Sequence, residues 1–190
     1  MNKAIKNLKK FYKFLQKDTW ESLIIFFVLA IILIKFVFFP LLSLLTGTVL
    51  PLVIVESCSM YHNENGMEEV IQKNFYKQNG IILDHTNEWD FKNGLNKGDV
   101  IFVVGDKTIE KGDVIIFNGG TNHPIIHRLM DENEPYSTYG DHNTGQLNVE
   151  KQISPNQLVG KAIFKIPYIG WIKLIFFENS RDPNQRGLCK

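Results

Sequence analysis

The sequence predicts a mainly β domain carried behind an N-terminal transmembrane helix, with a small helical insertion early in the β region. Three observations predict it. Residues 23–39 form an apolar run with one charge, Lys35. From residue 53 to residue 166, short segments rich in Val and Ile recur between turn-forming stretches, several of them Gly-Asp. Residues 61–96 break that rhythm: 67–78 reads as a short helix closed by Asn79-Gly80, and 84–96 is polar and turn-rich. A chain of 190 residues accommodates one ordinary domain and an appendage.

Residues 1–21 carry Lys3, Lys6, Lys9, Lys10, Lys13 and Lys17 among Leu8, Phe11, Tyr12, Phe14 and Leu15, the pattern of a basic amphipathic helix suited to a membrane surface. Trp20 stands where an interfacial aromatic belongs. The anchor spans residues 22–45. Its seventeen-residue apolar run gives roughly 26 Å of helix, and continuing toward Leu45 reaches the ~30 Å hydrocarbon core. Pro40 is expected to bend or end the helix, and Lys35 to snorkel to the interface. A cleaved secretory signal begins similarly, but this core is too long and no small-x-small site follows, so the helix reads as an uncleaved, single-pass anchor. The lysines put the N-terminus in the cytoplasm and residues 46–178, the β-rich domain, outside. Ser59 follows Leu45 by fourteen residues, at most about 46 Å of extended chain, so chemistry there stays near the bilayer.

The formal net charge of +1 is uneven: residues 1–40 hold seven lysines against Asp18 and Glu21, while 41–190 hold fourteen basic against eighteen acidic side chains. The larger part has no basic stripe, which argues against a nucleic-acid partner. Cys58 and Cys189 make neither a disulfide framework nor a zinc pattern, and residues 179–190 read as a flexible tail. Ile172 to Phe177 is too short to span a bilayer and suits either the interface or a core edge.

The strand-like segment Val53 to Met60 contains serines at i, i+2. A period of two puts Ser57 and Ser59 on one face and Glu56 and Cys58 on the other. Ser59 can serve as a nucleophile, with the Ser57 hydroxyl and a backbone N–H around a developing oxyanion; two serines can also merely close a strand. A serine nucleophile needs a base. His127 lies inside the apolar strand Pro124 to Met130, where a solvated face does not explain it. His123 and His127 have the i, i+4 spacing of a helical metal pair, but Pro124 and Ile125-Ile126 favour a strand and no glutamate accompanies them, so no metal or cofactor is expected. His62 and His85 read as surface histidines. Asp141, in the Gly140-Asp141 turn, is a carboxylate able to orient an imidazole, or simply a turn-former.

In this order the pieces resemble the type I signal peptidases, specifically the archaeal and endoplasmic-reticulum branch. The boxes stand here as Ser57-Cys58-Ser59-Met60, Gly112-Asp113-Val114-Ile115, His127-Arg128-Leu129, Gly140-Asp141-His142-Asn143, Gly160-Lys161-Ala162 and Ile166-Pro167-Tyr168-Ile169-Gly170. The resemblance covers residues 23–60 and 97–171 and leaves 61–96 unmatched. It implies a mainly β catalytic domain that removes signal peptides from exported preproteins at the outer membrane surface, with Ser59 as nucleophile and His127 as general base. Preproteins, the lipid bilayer and, as a candidate, the translocation machinery are the implied partners. The chain departs from the pattern at Cys58, usually Gly, and at His62, usually Pro. The family's further aspartate, five or six residues past the Gly-Asp box, falls here on Gln146 and Leu147, and Glu150 lies nine past Asp141. Either Asp141 orients His127, or Ser59 and His127 work as a dyad with the imidazole held by a backbone carbonyl or an amide. A non-catalytic membrane-anchored β module, or a subunit of a secretion complex, is the competing reading.

Overall fold

The computed structural model describes residues 3–105, 108–121 and 123–190. Met1, Asn2 and the expected turn residues Asp106, Lys107 and Asn122 lie outside them. The chain forms two compact units, residues 1–45 and 46–190.

In the first unit, α1 (Lys3–Leu15) buries no residue fully and leads to α2 (Trp20–Leu33). Thr19 caps α2, its Oγ1 accepting from the Ser22 N–H, while Ser22 Oγ donates to the Leu15 carbonyl (2.9 Å). The helix does not end at Pro40. It widens into a π turn at Ile34–Phe38 and continues as α3 (Phe39–Thr46). Proline cannot donate to the carbonyl four residues back, and a wider turn just before it absorbs that lost bond. Trp20–Thr46, 27 residues, is long and apolar enough to cross a membrane, the one such helix among the described residues.

The second unit is built on a six-stranded antiparallel sheet: β1 (Leu52–Ile54), β2 (Val100–Val104), β3 (Val114–Phe117), β4 (Ile125–Asp131), β5 (Ser137–Tyr139) and β6 (Leu158–Ile166). The spatial order is β1-β2-β6-β3-β4-β5, so the longest strand, β6, bridges β2 and β3. In β3 the period of two feeds both faces: Val114 and Ile116 join a core with Val55, Met60, Ile101, Val103 and Ala162, whereas Ile115 and Phe117 pack with Leu129, Tyr136 and Ile153. Each such buried aliphatic side chain is worth about 1.5–3 kcal/mol over an exposed one.

The two Lys-Gly-Asp segments are structural twins. Asp99 and Asp113 each accept from the backbone N–H three residues earlier, and each meets a lysine of β6, Lys165 at 3.3 Å and Lys161 at 2.8 Å. Gly98 and Gly112 have positive φ (93° and 103°), and a tryptophan ring, Trp171 or Trp89, lies where a Cβ would go.

The predicted helix 67–78 is in fact two, α4 (Met67–Val70) and α5 (Asn74–Gln78). With Ile81 and Trp89 they cover the β4–β5 end of the sheet through Met130 and Tyr139. After β6, the short α6 (Trp171–Leu174) buries Leu174 and leaves Ile172, Ile175 and Phe176 exposed. The C-terminal residues are not a loose tail. They fold into turns at Glu178–Ser180 and Pro183–Gln185 and end in a disulfide between Cys189 and Cys58, a pairing that two cysteines without a framework do not announce in sequence.

Candidate active site

β1 stops at Ile54 because β2, its one ladder partner among the described residues, begins opposite it at Val100. Val55 adds two further bonds, to the Asp99 carbonyl (2.9 Å) and from the Gly98 N–H (2.8 Å), before the chain turns. Ser57 and Ser59 therefore lie in a turn, not in the predicted strand. Their hydroxyls nonetheless meet, Oγ to Oγ at 3.1 Å. The Ser59 carbonyl accepts from the His142 N–H (2.7 Å), tying the serines to the Gly140-Asp141 turn.

His127 sits in mid-β4, opposite Ile115 of β3, and is buried. Its Nε2 lies against Gly140, where a Cβ would stand only 2.7 Å from it. Both Ser59 and His127 line a cleft of about 730 Å³, together with Val55, Met60, Ile125 and Ile126.

Asp141 does not hold this imidazole. His127 Nδ1 is hydrogen-bonded to Glu150, a fully buried carboxylate that sequence spacing had set aside. Glu150 also accepts from the Leu147 N–H (2.6 Å) and, at longer range, from Thr138 Oγ1 (3.4 Å). Gln146, at one expected aspartate position, donates instead to Ser137 Oγ and the Thr138 carbonyl. The acid reaches His127 because the loop after β5 folds back in a tight turn, Asn148–Glu150, beside that strand.

Asp141 serves the opposite face. Consecutive residues of a strand point to opposite sides, and Arg128, next to His127, donates to Asp141 from Nε (3.0–3.1 Å) and Nη2 (2.7 Å). Tyr76 Oη (2.6 Å) and His62 Nε2 (2.8 Å) complete the set, so His62 is a buried partner and not a surface histidine. Burial alone would raise the Asp141 carboxyl, but the Arg128 guanidinium and His62 hold it well below the usual carboxylate range. Burial, with Asp141 beside it, pushes the Tyr76 hydroxyl well above its ordinary value, so it stays a donor. Arg128 also donates to the Asp90 and Gly112 carbonyls (2.7 Å each) and lies over the Trp89 ring. The insertion, 61–96, to which the sequence lends no chemistry, thus supplies His62, Tyr76, Trp89 and Asp90 to this buried cluster.

No family model and no curated protein matches the chain.

Proposed function

We propose that the chain is a membrane-anchored serine endopeptidase of the type I signal-peptidase kind, which removes N-terminal signal peptides from exported preproteins. The observation that carries this reading is the pairing of His127, which lines the same cleft as Ser59, with buried Glu150 behind it. A Nδ1–H donating to a carboxylate leaves Nε2 with its lone pair, the acceptor that the Ser59 proton needs as Oγ attacks the scissile carbonyl; Ser59 Oγ meets Ser57 Oγ here, so the transfer requires the hydroxyl to turn toward Nε2. Glu150 then stabilises the imidazolium, and Nε2 returns the proton to the leaving amine. The Ser59 N–H and Ser57 hydroxyl are the oxyanion donors. The apolar cleft residues suit an extended, apolar stretch of peptide.

Under this reading the six-stranded sheet is a signal-peptidase-like catalytic domain, displayed outside by the Trp20–Thr46 anchor with its lysine-rich N-terminus in the cytoplasm. A disulfide suits that oxidising side. The test is incubation of the detergent-solubilised chain with preproteins, which the translocation machinery would deliver in the cell. Wild type is expected to release the signal peptide, and Ser59→Ala to lose about 10⁴-fold or more in kcat. Intact preproteins with the folded wild-type chain would overturn the reading and leave a non-catalytic membrane-anchored module.

A further inference from the structure

We infer that the C-terminal segment, residues 178–190, is a covalent brace that positions the nucleophile of the proposed peptidase and forms one wall of its cleft. The inference rests on Ser59 being that nucleophile. Among the described residues no strand pairs with the serine segment beyond Val55, so something other than the sheet must fix residues 56–60. The two residues that alternate with the serines are both held by this segment. Arg181 donates to the Glu56 carboxylate from Nη2 (2.7 Å) and to the Glu56 carbonyl from Nη1 (3.0 Å), and Cys58 is bonded to Cys189. The Ser57 and Ser59 hydroxyls meet in the cleft, while Glu56, which also lines it, and Cys58 are fastened to the chain terminus; Lys173 of α6 holds Glu56 as well (3.3 Å). Arg181 and Gln185 line the same cleft as Ser59 and His127.

The brace is itself anchored. Lys97, fully buried in the first Lys-Gly-Asp turn, donates to the Gln185 carbonyl (2.6 Å) and pairs with Glu178. Glu178 also accepts from the Gly187 N–H (2.7 Å), and Arg186 donates to the Asn179 and Arg181 carbonyls (2.8 Å each). The segment between Arg181 and Cys189 is thereby fixed at its middle as well as at both ends. Breaking the disulfide leaves the sheet intact but frees the serine turn on one side, and displacement of a reacting group by about 1 Å can cost on the order of 100-fold in rate.

The test compares the full-length chain in detergent in three states: oxidised, held under a dithiol reductant, and as Cys189→Ser. The dithiol breaks the Sγ–Sγ bond, leaves a thiol on Cys58 and on Cys189, and becomes the cyclic disulfide. Amide hydrogen exchange and cleavage of a preprotein are both followed. Exchange is expected to rise in 55–61 and 178–190 while β2, β3 and β6 stay protected. In both opened states kcat should fall about 10- to 100-fold, with a smaller change in KM. Reoxidising the reduced chain should restore both readouts. Unchanged exchange at 55–61, exchange rising evenly through the sheet, or unchanged kcat overturns the brace. If the oxidised wild-type chain cleaves nothing, the peptidase reading fails and the nucleophile-positioning role with it, and the local exchange pattern then decides only whether the segment fixes residues 55–61.

Discussion

His127 and Arg128 are neighbours in one strand, yet they serve two different carboxylates, and that division decides what each acid does. Glu150, on the histidine side, is expected to act in catalysis. Glu150→Gln should lower kcat by up to about 10⁴-fold with KM nearly unchanged, because an amide can hold the wrong imidazole tautomer. Preprotein cleavage by the folded variant measures it; a loss of only a few-fold would reduce the relay to a serine–histidine dyad. Asp141, on the arginine side, is expected to act in stability. Asp141→Asn leaves a fully buried guanidinium without its counter-charge, a loss of about 3–5 kcal/mol measurable by urea unfolding. The sign of its pH dependence follows from its lowered folded pKa. The contribution is complete above the unfolded value of about 3.9 and is lost as pH falls from there through the lower folded value. The acid limb of wild-type unfolding should therefore flatten in Asp141→Asn. Ser59 and His127, which line one cleft, stand out as candidates in the sequence because a serine pair closing an apolar segment and a histidine inside one are local signals. Glu150 does not, because its nearness to His127 is made by a returning loop, and a spacing taken along the chain cannot see it.

At the scale of elements, sequence and structure agree where a local rule decides. Pro124 to Met130 reads as a strand, and Ile125–Asp131 is one; Gly98-Asp99 and Gly112-Asp113 read as turns, and the chain turns there. They part where a tertiary contact decides. The helix passes Pro40 through a π turn, the serine segment leaves the sheet when its partner strand runs out, and the insertion becomes a lid on the Arg128–Asp141 cluster. The lid and the second Gly-Asp turn meet at Gly112, where an added Cβ would lie 2.1 Å from the Trp89 ring that stacks on Arg128. Gly112→Ala combines an unfavourable positive φ with displacement of that ring, and should cost about 2–4 kcal/mol. Gly120→Ala is the control. Its φ is also positive (77°) but nothing lies within 4 Å, so it should cost only the backbone term of about 1–2 kcal/mol. Urea midpoints at constant slope separate the two. Equal losses would mean that the ring moves freely and the insertion is not a rigid lid.

For the whole molecule, the uneven charge and the disulfide speak to one question, the side of the membrane on which residues 46–190 stand. Lys3, Lys6, Lys9, Lys10, Lys13 and Lys17 precede the apolar helix, and a cytoplasmic excess of lysine sets orientation. Thiols persist in a reducing cytoplasm, whereas Cys58 and Cys189 are joined here, so the redox state of this pair reports where the β domain resides. In intact cells, the wild-type cysteines should resist a bulky maleimide until a reductant is added, and then take up two equivalents. Replacing the six lysines with glutamine removes the bias, and part of the population is expected to insert with the β domain inside. Those molecules should react with the maleimide in a non-reducing lysate without prior reduction, in proportion to the inverted fraction, and should cleave no exported preprotein. Full maleimide labelling of unreduced wild-type chain in the membrane would place the domain in the cytoplasm and remove both the external peptidase and the oxidised brace.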